Sequence, residues 1–154
     1  MQIAYAVPDP HAAAPAWTER WGAEGWVFAD HIELAEVIHG GAAAALDHSS
    51  AYGRAGNVMV ELITVHGAEP PSLQAAVTTD GPGVHHVARF ADDLDGAAAA
   101  LARGGVAEVA RAVTTGGTRF AWLDARPRLG HLLELYERSA PLLAFYERLG
   151  VPVT

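Results

Sequence analysis

The 154-residue chain contains no cysteine and no lysine; all 10 of its basic residues are arginine. Without cysteine there is no disulfide framework, no thiolate nucleophile and no Cys-type zinc site. Without lysine there is no Schiff-base chemistry and no phosphate-cradling P-loop. Positive charge is scarce as well. The 18 carboxylates against 10 arginines leave a formal net charge of −8, a poor match for nucleic acid or an anionic membrane. No apolar run reaches the roughly 18–20 residues that span a bilayer, and Met1-Gln2-Ile3 does not start a basic-then-hydrophobic leader. A cytoplasmic protein acting on a small molecule is the expectation. Half of the residues are apolar, 51%, so one domain can bury a sizeable core. Site chemistry is left to His, carboxylates, Tyr, Arg, amides or a metal they hold.

What is present is a repeat. Sliding the chain by 84 positions sets Gln2 on His86, Ala4 on Ala88, Asp9 on Asp93 and Ala13 on Ala97. Each copy opens with a short extended run, QIAYAVPDP or HVARFADD, and continues into an alanine-rich helix closed by glycine. Asp9 and Asp93 are placed to cap those helices. Strand-like runs follow in both halves: 25–34, a broken stretch to Gly53, and 57–65 in the first; 106–113, 117–125 and 131–137 in the second. The expected organisation is a βαβββ module over 1–66, a linker at 67–83, a second βαβββ module over 84–137, and a C-terminal helix and tail at 138–154. That helix is expected to be capped by Ser139 and to end at Gly150, and its apolar residues Leu142, Leu143, Phe145 and Leu149 need a partner surface. The two modules predict eight strands.

Side chains alternate along a strand, so residues two apart share a face. Glu61 then shares a face with Met59, Ile63 and Val65, and Glu134 with Leu132 and Tyr136. A carboxylate on an apolar face is costly unless it is paired, protonated or bound to a metal. The anomaly occurs once per half, in the last strand each time. The opening strands carry its counterpart: Gln2 and His86 occupy matching places, each followed on its own face by an alanine that leaves room. One imidazole, one amide oxygen and two carboxylates suit a divalent cation with positions left open. Alternation turns His85 away from this group. His39 and His48, in the middle strands of the first half, are further acid–base candidates. Trp26 and Tyr136 are expected to contact substrate, with Trp17, Trp21 and Trp122 as other stacking surfaces.

The segments GVHHVARFADDLDGAAAALARGG and GGTRFAWLDARPRLGHLLELYE, with the weaker QIAYAVPDP and NVMVELITV, resemble the vicinal oxygen chelate superfamily. That group includes glyoxalase I, methylmalonyl-CoA epimerase, extradiol dioxygenases, and fosfomycin- and bleomycin-resistance proteins. The resemblance implies an α+β fold in which tandem βαβββ modules form a cup-shaped mixed sheet around a metal. It puts the metal ligands at Gln2, Glu61, His86 and Glu134, in an order similar to the animal type of glyoxalase I. That order implies one divalent ion, zinc ahead of manganese, cobalt, nickel or iron. A ligand Glu, 61 or 134, or a histidine would serve as the base. The implied activity is proton transfer and isomerisation, as in a glyoxalase- or epimerase-like isomerase or lyase acting through a metal-chelated oxyanion or enolate. The alternatives are a natural-product or antibiotic binding protein and a specialised cyclase or isomerase using the same cup. The family's pairing of modules between chains implies a homodimer. No arginine–asparagine pattern for glutathione is visible, nor a two-His iron site.

Overall fold

The computed structural model describes residues 1–153. Strand β1 (Gln2–Ala6) leads into helix α1 (Pro10–Trp21), followed by β2 (Glu24–Ala29), β3 (Leu34–His39), β4 (Ala42–Ala43), β5 (Ala45–Ala55) and β6 (Val58–Glu69). Helix α2 (Pro71–Val77) joins this half to β7 (Gly83–Ala91), α3 (Leu94–Arg103), β8 (Glu108–Thr114), β9 (Arg119–Leu123), α4 (Arg126–Leu129), β10 (Leu132–Glu137) and α5 (Ala140–Arg148). The Asp9 carboxylate accepts from the amides of His11 (2.8 Å) and Ala12 (3.3 Å), and Asp93 from that of Gly96 (2.9 Å), so both helix starts are capped as the repeat predicts.

All ten strands form one mixed sheet in the order β2-β5-β6-β1-β7-β10-β9-β8-β3-β4. Each half contributes the order first, last, third, second. The halves join where β1 and β7 run antiparallel. The count exceeds the expected eight because the stretch after the run at 25–34 holds two further strands, β3 and β4, and that run does not reach Leu34 as one strand. It breaks at His31, whose φ is 45°, and the chain leaves the first half to place β3 against β8 of the second. Residues 30–33 bridge β2 to β3 and span at most about 18 Å when extended. In a flat sheet those strands would lie about 38 Å apart. The sheet is therefore curled almost onto itself without closing.

The segment 67–83, expected as a plain linker, holds the end of β6 and all of α2, whose Leu73 and Val77 are buried. Three apolar clusters divide the interior. One fills the concave side, with Met59, Ile63, Phe120, Trp122 and Leu132 from the sheet, Leu142 and Tyr146 from α5, and Leu149 just after it. The other two fix α1 and α3 to the convex side. Helix α5 packs on its own domain, like a roof over the curl. Its start at Ser139 has no side-chain cap, unlike the sequence expectation; Pro at the first turn sets the entry instead. Among the described residues no helix is long and apolar enough to cross a membrane.

Candidate metal centre

The four central strands set two rows across the concave face. In one row Glu61, Ala4, His86 and Leu132 lie side by side; in the next, Met59, Gln2, Ala88 and Glu134. Ala4 and Ala88 are the small residues between the polar ones, and the longer side chains close over them. All four expected ligands converge there, each no more than 2% exposed. Ligand atoms of Glu61, His86 and Glu134 lie within 4.8 Å of one another.

Each carboxylate is held by one oxygen and presents the other. Ser50 Oγ donates to Glu61 Oε1 (2.5 Å) and Trp122 Nε1 donates to Glu134 Oε1 (3.0 Å). The Oε2 atoms lie 3.2 Å (Glu61) and 2.9 Å (Glu134) from His86 Nε2. Glu134 Oε2 is buried without a well-aligned hydrogen-bond donor. Gln2 Nε2 donates to Glu61 Oε2 (2.5 Å), while Gln2 Oε1 accepts from the Tyr146 hydroxyl (2.7 Å). A half-turn of that amide presents Oε1 to the cluster and leaves Nε2 donating to Tyr146. Three oxygens, the poorly satisfied Glu134 Oε2 among them, and one imidazole fit a divalent cation.

His85 departs from the expected alternation. The β1–β7 register shifts between Ala4 and Tyr5, and this bulge keeps both His85 and His86 buried. His85 Nε2 lies 2.8 Å from the Val77 carbonyl and must donate to it. His85 Nδ1 is then the acceptor for His86 Nδ1–H at 2.9 Å. The chain from Val77 to His86 therefore fixes the tautomer that turns a lone pair on His86 Nε2 towards the carboxylates once its proton leaves.

Charge follows from this packing. Burial opposes charge on His86, but the carboxylates of Glu134 and Glu61 outweigh it and push its pKa up to about 10. Burial pushes Glu134 up. It would push Glu61 up too, but His86 and the Ser50 hydrogen bond hold it down. Burial also lowers His85, to about 4 with His86⁺ adding to the effect, and lowers His48.

A cavity of about 330 Å³ opens from this cluster under α5. Gln2, Glu61, Glu134, His48 and Tyr136 line it, as do residues the sequence did not single out for it: Tyr52, Phe120, Phe145 and Tyr146. His48 is buried, and its Nδ1 has no partner. Two expected site residues lie elsewhere. His39 is 2.6 Å from the Val109 carbonyl by Nδ1 and 3.0 Å from Ser72 Oγ by Nε2, tying β3 to β8 and α2. Its strand has crossed to the far edge of the sheet. Trp26 sits on the convex side, where its Nε1 donates to Thr18 Oγ1 (2.9 Å) and its ring fills the space above Gly53. Trp122, one of the expected stacking surfaces, is both core and cavity wall. Ser50 and Tyr52 share the His48 face of β5, the one signal that would have found them; Tyr146 depends on how α5 docks.

Residues 1–122 match the model of the Glyoxalase/Bleomycin resistance protein/Dioxygenase superfamily. The chain belongs to that superfamily. None of the curated proteins compared with it matches. Among solved structures, methylmalonyl-CoA epimerase from Mycobacterium tuberculosis is similar at 20% identity and a TM-score of 0.58, covering 93% of this chain and 89% of that one. Protein BH1468 from Bacillus halodurans C-125, of hypothetical function, gives 19%, 0.59, 90% and 92%. Streptomyces coelicolor methylmalonyl-CoA epimerase, in complex with 2-nitronate-propionyl-CoA, gives 20%, 0.55, 90% and 96%. These likenesses are of fold.

Proposed function

We propose that the chain is a metal-dependent isomerase of the epimerase type, moving a proton at a carbon next to a carbonyl. Gln2, Glu61, His86 and Glu134 would hold one divalent ion, with zinc the first to test. When bound, such an ion supplies Lewis-acid polarisation of a substrate oxygen. The remaining work falls to the chain. Burial keeps His48 neutral at pH 7, and its unpartnered Nδ1 lies at the same cavity as the carboxylates. That is the observation on which the reading rests: a neutral imidazole free to exchange a proton beside a cation site. Ser50 and Trp122 hold the carboxylates in place, and the α5 roof excludes water.

The test is metal content and turnover side by side. Glu134→Gln should lose most of the ion, whereas Glu137→Gln should keep it. His48→Gln should keep the ion and lose proton exchange. Equal metal in the two Glu variants would remove the assignment. The aromatic lining favours a second reading, a small-molecule binding protein using the same cup; it predicts ligand binding indifferent to His48→Gln and no turnover in any variant.

We also infer a homodimer. With α5 folded onto its own domain, the supporting surface is the convex groove lined by Ile3, Tyr5, Trp17, Trp21 and Val58, where Trp21 is 68% exposed. A monomer by light scattering at micromolar concentration would overturn it.

A further inference from the structure

We propose that the substrate is a planar, uncharged aromatic compound bearing a carbonyl or hydroxyl oxygen, rather than a coenzyme A thioester or another phosphate-bearing molecule. The inference rests on the reading of the cavity as the active site and names what enters it.

Two observations carry it. The first is the wall. Phe120, Trp122 and Tyr136 come from β9 and β10, Tyr52 from β5, and Phe145 and Tyr146 from the α5 roof. Phe120 lies 5.7 Å from Trp122 and 6.0 Å from Tyr136 between ring centroids; Tyr52 lies 5.3 Å from Phe145, edge to face. Such rings offer faces and edges to a flat aromatic ligand. The Tyr52 hydroxyl, at the same wall, is a hydrogen-bonding group for a neutral oxygen.

The second is charge and size. The ionisable groups of the lining are two carboxylates, a histidine and tyrosines; no arginine lines it among the described residues. A divalent ion would be offset by Glu61 and Glu134 themselves, leaving nothing to neutralise a substrate carboxylate or phosphate. The cavity's roughly 330 Å³ is at the small end of the range of about 300–1,000 Å³ typical of ligand pockets. A coenzyme A tail would have to lie outside, beyond α5, where Arg54 pairs with Glu24 and Arg148 sits over the Phe145 ring at 5.6 Å.

Calorimetric titration of the purified full chain with 5-hydroxy-1,4-naphthoquinone and with methylmalonyl-CoA tests this. The absence of cysteine and lysine removes the side chains that quinones usually modify. The quinone should bind at least about tenfold more tightly than the thioester. Phe120→Ala should weaken quinone binding by about tenfold with metal content unchanged, Tyr136→Ala should weaken it about as much, and Arg148→Ala should leave it as it was. Tighter binding of methylmalonyl-CoA, quinone binding indifferent to the two aromatic variants, or no quinone binding would each overturn the proposal. Metal content keeps the two readings apart. A quinone site in a protein that never acquires a metal would sustain this inference and sink the metal-dependent isomerase. A metal-loaded chain preferring the thioester would do the reverse.

Discussion

At the scale of single residues, the centre is a set of atoms whose protons and lone pairs are assigned by neighbours. A cation binding at His86 must displace the proton on Nε2, which the two carboxylates hold up to about 10. Sequence alone puts the loss of metal between pH 7 and 5, near an ordinary histidine. The folded environment moves the competition upward. Metal affinity should rise about tenfold per pH unit between 7 and about 9, one proton leaving per ion. Competition with a chelator across that range checks it, and a flat profile would exclude His86 as a ligand. His85 should matter as well: His85→Leu should weaken metal binding about 10–100-fold, and His85→Gln, which can still accept from His86, should recover most of it. Full affinity in the Leu variant would show the bond between the two rings to be incidental. Glu61 and Glu134 were legible because a carboxylate on an apolar strand face is conspicuous even without a structure, and the repeat pointed from them to Gln2 and His86. His85 was not, since a bulge breaks the very alternation from which facing is read.

At the scale of elements, the repeat was legible because helix caps and strand periodicity are local. What a strand pairs with is not local. The run at 25–34 reads as one strand, yet it ends at Ala29; Leu34 opens β3, which pairs with β8 of the other half, and this took His39 away from the site. The same limit hid Trp26, which lies on the convex face of β2, packed over β5. That contact is checkable. A methyl group at Gly53 would lie 2.7 Å from the Trp26 ring, whose indole is tied to Thr18. Gly53→Ala should therefore cost about 1–3 kcal/mol by chemical denaturation, and Gly53→Ala combined with Trp26→Leu should recover part of that. Additive losses would mean the ring moves aside. Helix α5 follows the opposite logic: its apolar stripe announced a partner surface, but only the curl of the sheet decides that the surface is the mouth of the cup.

At the scale of the whole molecule, stability should track pH through buried imidazoles. Burial holds His85 down to about 4, so folding favours its neutral form. Its contribution is present above about 6.5 and is lost as pH falls from there towards 4, about 3 kcal/mol in all. His86 has the opposite sign in the metal-free chain: its contribution is present below about 6.5 and is lost as pH rises through about 10. Urea titrations of metal-free protein at pH 7 and 5 should show lower stability at 5, and His85→Gln should shrink the difference. An unchanged difference in that variant would assign the acid loss to another group.

The crossing of β3 into the second half reaches further. The halves share two seams, β1 with β7 and β3 with β8, while the peptide joining them runs through an exposed turn at 80–83. A chain severed between Asp80 and Gly81 should thus remain a single particle, its pieces clasped like interlocked hands. Gln2 and Glu61 would lie on one piece, His86 and Glu134 on the other, so a cation at their meeting point becomes a rivet across the cut. Mixed fragments should co-elute more strongly with zinc than with chelator, because an ion that binds only the assembled pair must draw the pair together.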